Sequence, residues 1–222
     1  MAESEKSSRK KSRQERRDER RDALKEAAIS VFADKGYHGA KVSDIVKSVG
    51  VAQGTFYLYF KGKDQIFGEL LDDFMQLVVE TVANWEPASL ETRQHLREEL
   101  TRVGLMLTEV LIQNPAMTTI FFKEALSSTR EFDEKLRDFY DTLGLMLTTF
   151  NRILCERGLI QAMNFKILAF GTIGQVERII SEHVVHQSFG ADIEPLELVE
   201  HLVELFLSGT EQPIASASLP KE

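Results

Sequence analysis

The sequence predicts an all-α fold, with three N-terminal helices followed by a larger helical body. Apolar residues recur at spacings of three and four along most of the 222 residues, which is the period of an amphipathic helix. No segment alternates apolar and polar residues as a half-buried strand would. Glycine, asparagine and proline interrupt the helical pattern at intervals that suit helix ends.

The composition is that of a globular protein, with 43% hydrophobic and 28% charged residues. No run approaches the roughly 18 apolar residues of a membrane span, and no apolar stretch follows the basic N-terminus as in a secretory signal. Cys155 is the one cysteine, so we expect no internal disulfide and no cysteine-built zinc site. These features predict a cytoplasmic protein without membrane contact.

Charge is divided unevenly along the chain. Residues 1–63 carry a net charge of +6 and residues 64–222 a net charge of −14, within an overall −8. A basic head on an acidic body indicates that the head alone meets a polyanion, although a solvated basic tail would give the same numbers.

The first helix is predicted from Asp22 to Lys35, because its apolar residues form one stripe. The stripe consists of Leu24, Ala27, Ala28, Val31 and Phe32. Gly36 follows and is predicted to end this helix, since glycine often occupies the position after the last helical turn. Residues 1–21 are polar and lack apolar periodicity, which predicts a flexible basic tail.

Two short helical pieces follow, Val42–Val49 and Val51–Phe60. Gly50 separates them, since glycine accepts the left-handed conformation of a tight turn. A longer helix before two short ones around such a turn is a helix-turn-helix pattern, which also occurs in ordinary bundles.

The body begins at Asp64, a predicted helix cap, and reads as successive helices. Pro115 and Asn164 mark two of the breaks between them. The predicted helices are 64–84, 90–113, 116–126, 128–156, 164–187 and 195–207. We therefore predict a tail over 1–21, a helix-turn-helix domain over 22–63, a helical domain over 64–208 and a flexible tail over 209–222.

Residues 22–74 resemble the DNA-binding segment of TetR-family transcriptional regulators. The blocks VFADKGYHG and DIVKSVGVAQGTFYLYFKGKDQIF, with the acidic and apolar helix after them, match in order and spacing. The match covers about a quarter of the chain. The resemblance implies a three-helix DNA-binding domain, a helical ligand-binding body and a homodimer, in which the last two long helices form the subunit interface.

The resemblance also implies which residues contact DNA. The second short helix would lie in the major groove with its first residues nearest the bases. The implied contacts are Gln53, Gly54, Thr55, Tyr57, Tyr59 and Lys63. An amide such as that of Gln53 can pair with adenine, whereas the hydroxyls and the ammonium suit phosphate oxygens. Phe56 and Phe60 are predicted to be core residues.

The sequence departs from the family at Ala40 and Lys41, where many members carry Thr or Ser. The usual hydroxyl cap of the following helix is therefore missing. We expect Lys41 to contact phosphate and Ser43 to reach the groove. The basic segment Arg9–Arg21 is an arm along the DNA or a solvated tail.

The resemblance implies that the body holds an effector. This effector is predicted to be small and lipophilic, because flexible methionines and flat aromatics suit an adaptable apolar pocket. The candidate lining is Met106, Phe122, Phe139, Leu143, Met146 and Gln175. The same residue types also build an ordinary bundle core. Glu124, Glu177 and Arg178 are possible polar anchors.

These features predict a ligand-responsive repressor that binds a near-palindromic operator in double-stranded DNA as a homodimer. The alternative is a helical dimeric interaction protein that has lost sequence-specific DNA binding. We find no sequence motif of a hydrolase, nucleotide-binding or metalloprotease site, so no enzyme and no catalytic residue are predicted. No cofactor or metal is expected either, since His183 and His186 lack a third ligand nearby.

Overall fold

A computed structural model describes residues 2–123, 130–188 and 193–211 of the chain. These residues form α-helices and no strand, which confirms the all-α prediction. The helices are α1 Ala2–Gly39, α2 Val42–Val49, α3 Gln53–Phe56, α4 Lys63–Ala83, α5 Arg93–Gln113, α6 Pro115–Lys123, α7 Arg130–Glu156, α8 Phe165–Ile180 and α9 Pro195–Gly209. A 3₁₀ turn, Pro87–Ser89, precedes α5, and a π-helical turn, Ser181–Val185, follows α8.

Helix α1 starts much earlier than predicted. It begins at Ala2 rather than Asp22, so residues 2–21 are helical where a flexible tail was expected. Lys, Arg, Glu and Gln are good helix formers. Residues 14–20 are exposed, and an exposed stretch of helix needs no apolar stripe. The Gln14 amide donates to Asp18 at 2.8 Å across one turn. Helical geometry breaks at Gly36, whose φ of 69° and ψ of 164° fit the predicted end of the first helix.

Helix α2 has the predicted bounds, but α3 is shorter than the predicted helix over Val51–Phe60. The chain leaves the helix after Phe56 in tight turns, with Leu58 N–H donating to Thr55 O at 3.2 Å and Tyr59 N–H to Phe56 O at 2.9 Å. Asp64 lies inside the first turn of α4 instead of capping it. The Gln65 side chain accepts from Lys61 N–H at 2.7 Å, two residues before the helix begins.

The later helix starts agree closely with the sequence pattern. Thr92 caps α5 by accepting from His95 N–H, and Asn164 caps α8 by accepting from Ile167 N–H, each at 3.1 Å. Helix α8 ends at Ile180 rather than at the predicted Gln187, because the backbone changes to the π-helical turn. The first two residues of the predicted helix 128–156 lie outside the described residues.

The described residues divide into two compact units. Unit 1 lies within Met1–Phe74 and Ala116–Asp133, and unit 2 within Met75–Pro115 and Glu134–Glu222. In unit 1, Tyr37 packs on Phe67 and on Phe132, with ring centroids 4.5 and 5.5 Å away. Ion pairs from Arg21 to Glu69 and from Lys25 to Asp73 also join α1 to α4.

The core of unit 2 surrounds Trp85, which is buried and meets Phe150 edge-on with ring centroids 4.9 Å apart. Its indole N–H has no hydrogen-bond partner among the described residues. The residues buried with it are Leu90, Leu96, Leu154, Leu159, Ile160, Val199, Val203 and Leu207. Helices α5 and α9 pack so closely that a Cβ atom on Gly104 would lie 2.7 Å from Val199 Cγ1.

Two arginines connect chain segments of unit 2 through backbone carbonyls. The Arg93 guanidinium donates to Leu159 O at 2.7 Å and to Leu207 O at 2.8 Å. Arg157 Nε donates to Leu90 O at 2.6 Å. We call the Arg93 arrangement the arginine clamp. Among the described helices, no single one is long and apolar enough to cross a membrane; α5 and α6 pass on length and composition only together, across their break.

Candidate DNA-binding interface

Gly50 forms the turn between α2 and α3. Its φ of 70° and ψ of 34° are left-handed, a conformation that costs glycine little. The turn is closed by Gly50 N–H donating to Lys47 O at 3.3 Å and Val51 N–H donating to Val46 O at 3.0 Å. These two bonds satisfy carbonyls at the end of α2 and set the direction in which α3 begins.

Helix α3 presents polar residues above an aromatic base. Gln53 and Gly54 are exposed and Thr55 is half-buried, whereas Phe56 is fully buried. Phe60 is buried too, and its ring centroid lies 5.5 Å from that of Phe56. The prediction that both phenylalanines belong to the core is confirmed, and they hold the polar face of α3 in solvent.

The turn after α3 carries two tyrosines and a leucine. Tyr57 is 52% exposed, Tyr59 is half-buried and Leu58 is 72% exposed. Both phenols were predicted from sequence to contact phosphate, and their exposure permits it. Leu58 was missed. The signal was present, because a leucine between the two tyrosines lies outside the apolar spacing set by Phe56 and Phe60.

The start of α2 is stabilised by a carboxylate in place of the missing hydroxyl cap. Asp44 accepts from Lys41 N–H at 3.1 Å and from Lys35 Nζ at 2.8 Å. The hydrogen bond from Lys35, followed by that from the Lys41 backbone, holds the pKa of Asp44 below its usual value. The side chains of Lys41 and Ser43 are exposed and remain free to meet a ligand from solvent.

Lys63 is half-buried and its ammonium group has protein partners. Nζ donates to Tyr37 O at 2.6 Å and to Ala40 O at 3.2 Å, and it lies 4.4 Å from the centroid of the Tyr37 ring. The Tyr37 hydroxyl in turn donates to Asp64. We call this arrangement the lysine clamp. Since an ammonium has three N–H groups, two carbonyl partners leave one donor for a phosphate.

The predicted effector residues are distributed over both units. Phe139 and Leu143 are buried on α7, Met146 is half-buried, and Met106 and Gln175 are exposed. These five belong to unit 2, whereas Phe122, half-buried on α6, belongs to unit 1. Their role in binding an effector stays a prediction. Glu124, one possible polar anchor, lies outside the described residues.

Unit 2 contains a buried phenol, that of Tyr140, which the sequence pattern did not indicate as a polar group of interest. The Tyr140 hydroxyl oxygen is buried without a well-aligned partner in the described chain. Burial, and then the negative charge of Glu177, raise the pKa of Tyr140 far above its usual value, so the phenol stays neutral. His183, whose Nδ1 is also buried and unpaired there, and His186 belong to no group of three potential metal ligands within the described residues.

The chain resembles known DNA-binding regulators. Residues 24–70 match the family described as bacterial regulatory proteins, tetR family. An HTH-type transcriptional regulator of Bacillus subtilis, YdgC, is 35% identical over 139 residues, which cover 55% of this chain and 69% of that protein. The fatty acid metabolism regulator protein of Bacillus subtilis is 47% identical over 113 residues, or 51% of this chain and 56% of the relative.

Solved structures share the fold over most of the chain. A TetR-family regulator from Syntrophomonas wolfei superposes with a TM-score of 0.71 at 20% identity, over 90% of this chain and 100% of that one. The transcriptional regulator FadR from Bacillus subtilis, solved in complex with stearoyl-CoA, superposes with a TM-score of 0.69 at 22% identity, over 85% and 98%.

The fold and the exposed face of α3 define a helix-turn-helix transcriptional regulator. The match over 24–70, together with the regulator matched over more than two thirds of its length, identifies the family: the chain belongs to the TetR family of transcriptional regulators.

Proposed function

We propose that the protein is a repressor that binds a near-palindromic DNA operator as a homodimer and is released by a lipophilic effector. The observation that carries the DNA-binding part is the position of Gln53, Gly54 and Thr55 in solvent above the buried Phe56 and Phe60. A short helix with a polar exposed face and a rigid apolar base can enter the major groove without rearranging. Relatives named as repressors, such as KstR2 of Mycolicibacterium smegmatis at 33% identity, support the direction of regulation.

In this proposal Gln53 recognises a base, Thr55 contacts a phosphate or a thymine methyl group, and Gly54 permits close approach. The phosphate contacts are Lys41, Tyr57, Tyr59 and Lys63, and Ser43 reaches the groove. We assign the DNA-binding domain to residues 22–63 and the effector and dimerisation domain to residues 64–208.

Apolar exposure on the last two helices supports the homodimer. On α8, Ile167 is 71% exposed and Phe170 37%; on α9, Leu196 is 48% exposed and Leu205 56%. Side chains of this kind on two helices of one unit are costly to leave in water and suit a four-helix interface with a second copy. Ile167→Glu should lower the dimer fraction in sedimentation equilibrium. An unchanged dimer would exclude this part of α8 from the interface.

The relatives support a long-chain acyl-CoA as the effector. One is named for fatty acid metabolism, and one structural neighbour was solved with stearoyl-CoA. The predicted apolar lining suits the acyl chain. A lipophilic ligand releases DNA only if it binds one conformation of the dimer better than the other, typically by about 1–3 kcal/mol of coupling.

Selection from random duplex DNA tests the DNA-binding part. We expect a palindromic site to be enriched and Gln53→Ala to lose about 1–3 kcal/mol of discrimination at one symmetric pair of positions. If every base substitution keeps its penalty in the variant, Gln53 is not a base contact. If no sequence is enriched, the alternative of an interaction protein without specific DNA binding is favoured.

Thermal unfolding with stearoyl-CoA, stearate and free CoA tests the effector. We expect stearoyl-CoA to raise the midpoint most and to weaken operator binding, because a ligand of the folded state stabilises it. Phe139→Ala should reduce the midpoint shift while operator binding without ligand is retained. Loss of both would place Phe139 in the core rather than in the pocket.

A further inference from the structure

Among the described large apolar side chains of unit 1, that of Leu58 is the most exposed, and it contributes little to the core. Leu58 is 72% exposed, whereas Phe56 and Phe60 on either side of it have 0% and 1% of their surface exposed. Folding therefore buries little of the Leu58 side chain, and its burial contributes little to stability. A polar residue at this position of the turn would serve the fold as well.

The backbone presents Leu58 from a fixed position. Its N–H donates to Thr55 O at 3.2 Å, and the next two N–H groups, of Tyr59 and Phe60, donate to Phe56 O at 2.9 and 3.0 Å. Because this turn is bounded by two buried phenylalanines, Leu58 loses little freedom when it meets a ligand. An exposed side chain held in this way behaves as a preorganised contact.

The surroundings limit what Leu58 can meet. Tyr57 and Tyr59 beside it end in hydroxyl groups, and two lysines, Lys61 and Lys63, follow within the next five residues. One leucine is far smaller than the apolar patch of a protein interface, and a basic surface suits DNA. The major groove offers one small apolar group, the methyl group of thymine.

We propose that Leu58 contacts thymine methyl groups in each half of the operator and so contributes to sequence specificity. The inference rests on the proposed function of α3 and its following turn as the element in the major groove. It adds an apolar contact to the hydrogen bond assigned to Gln53. Specificity at the two positions then has different chemistry, since an amide distinguishes hydrogen-bond patterns and a leucine distinguishes the presence of a methyl group.

Deoxyuridine tests the proposal directly, because it pairs as thymine does and lacks only the methyl group. The selected operator is prepared with deoxyuridine at each thymine in turn, and affinities are measured for the full-length protein. We expect one symmetric pair of positions to lose about fourfold in affinity per half-site, the value of one buried methyl group, and about 15-fold when both halves are changed.

The Leu58→Ala variant should bind the natural operator about as weakly as the wild type binds the deoxyuridine operator, with no further loss when the methyl groups are removed. Leu58→Met, which keeps an apolar side chain of similar reach, should retain sensitivity to the methyl groups. Leu145→Ala, at a leucine 71% exposed on α7, is the matched control and should bind as the wild type does.

Equal methyl sensitivity of the wild type and of Leu58→Ala at every position would overturn the proposal. So would a Leu58→Ala variant that keeps full affinity and specificity. Neither result affects the DNA-binding part of the proposed function, which fails if the wild-type protein enriches no operator at all.

Discussion

The lysine clamp of unit 1 and the arginine clamp of unit 2 each bind two backbone carbonyls, but they use different cations. Each places a positive charge on two backbone carbonyls near helix ends, where the helix dipole is negative. Lys63 holds Tyr37 O and Ala40 O beyond the kink of α1, while Arg93 holds Leu159 O and Leu207 O.

The two clamps differ in what they leave available. The planar guanidinium of Arg93 connects two segments with two directed hydrogen bonds at 2.7 and 2.8 Å. The ammonium of Lys63 is a compact charge with a third N–H group, beside the residues that we propose to meet DNA. The comparison indicates that the arginine clamp of unit 2 serves stability alone. The lysine clamp of unit 1 can serve both stability and DNA binding.

The largest expected effect is at Arg93. Arg93→Ala leaves two half-buried carbonyls without their charged donor, and we expect the free energy of unfolding to fall by about 2–4 kcal/mol. Urea titration measures this. Arg97→Ala, which breaks an exposed pair with Glu204, is the control and should change stability by less than about 1 kcal/mol. Equal losses in the two variants would contradict a special role for the arginine clamp.

Lys63→Ala comes next and should show both roles of the lysine clamp. We expect the free energy of unfolding to fall by about 1–3 kcal/mol because two carbonyls lose a charged donor. Binding should weaken for all DNA sequences, and the slope of log affinity against log salt should fall by about 1 because a phosphate contact is lost. Lys61→Ala, at an exposed neighbour, should leave stability unchanged. Lower stability with an unchanged salt slope would mean that Lys63 stabilises the fold and does not contact phosphate.

Two glycines extend the comparison with smaller effects. A Cβ atom on Gly104 would lie 2.7 Å from Val199 Cγ1, whereas one on Gly54 would meet nothing within 4 Å. Gly104→Ala should therefore destabilise unit 2 by about 1–2 kcal/mol. Gly54→Ala should stabilise the free protein by up to about 1 kcal/mol, since alanine favours helix, and yet weaken operator binding. An unaltered operator affinity would mean that the backbone at Gly54 does not approach DNA.

The smallest effect concerns a helix start rather than a helix end. Because the pKa of Asp44 is lowered in the folded protein, its contribution to stability is present above the pKa of the unfolded chain and is lost as pH falls through the folded pKa. Following the Asp44 carboxyl by NMR should show titration below the usual aspartate range. In Lys35→Ala the pKa should rise toward that range. If the pKa of Asp44 is unshifted in the wild type, the ion pair between Lys35 and Asp44 does not stabilise the start of α2.

Local patterns predicted the fold better than they predicted its connections. The bounds of α2, the Asn164 cap and the buried Phe56 and Phe60 follow from spacing and from neighbouring residues, so the sequence carried them. Arg93 is 66 and 114 residues from its two carbonyl partners, and no local pattern indicates such a pairing.

Other parts of the structure were missed for different physical reasons. The polar start of α1 lacks an apolar stripe, and residues 14–20, whose side chains are described, are exposed and need none. The exposure of Leu58 was missed because an apolar residue is expected to be buried. Here the neighbouring Phe56 and Phe60 fill the core, and Leu58 is left in solvent. For the candidate site, the polar face of α3 was predictable, but the carbonyl partners of Lys63 were not.

Trp85 is the one tryptophan of the chain, and its burial against Phe150 in unit 2 has an optical consequence. Its fluorescence emission in the native protein should be blue-shifted and should move to the red when unit 2 opens. Unit 1 has no indole, so its opening leaves that emission almost silent and is visible by circular dichroism of its helices. Unequal midpoints of the two signals would therefore show that the DNA-binding half melts separately from the other.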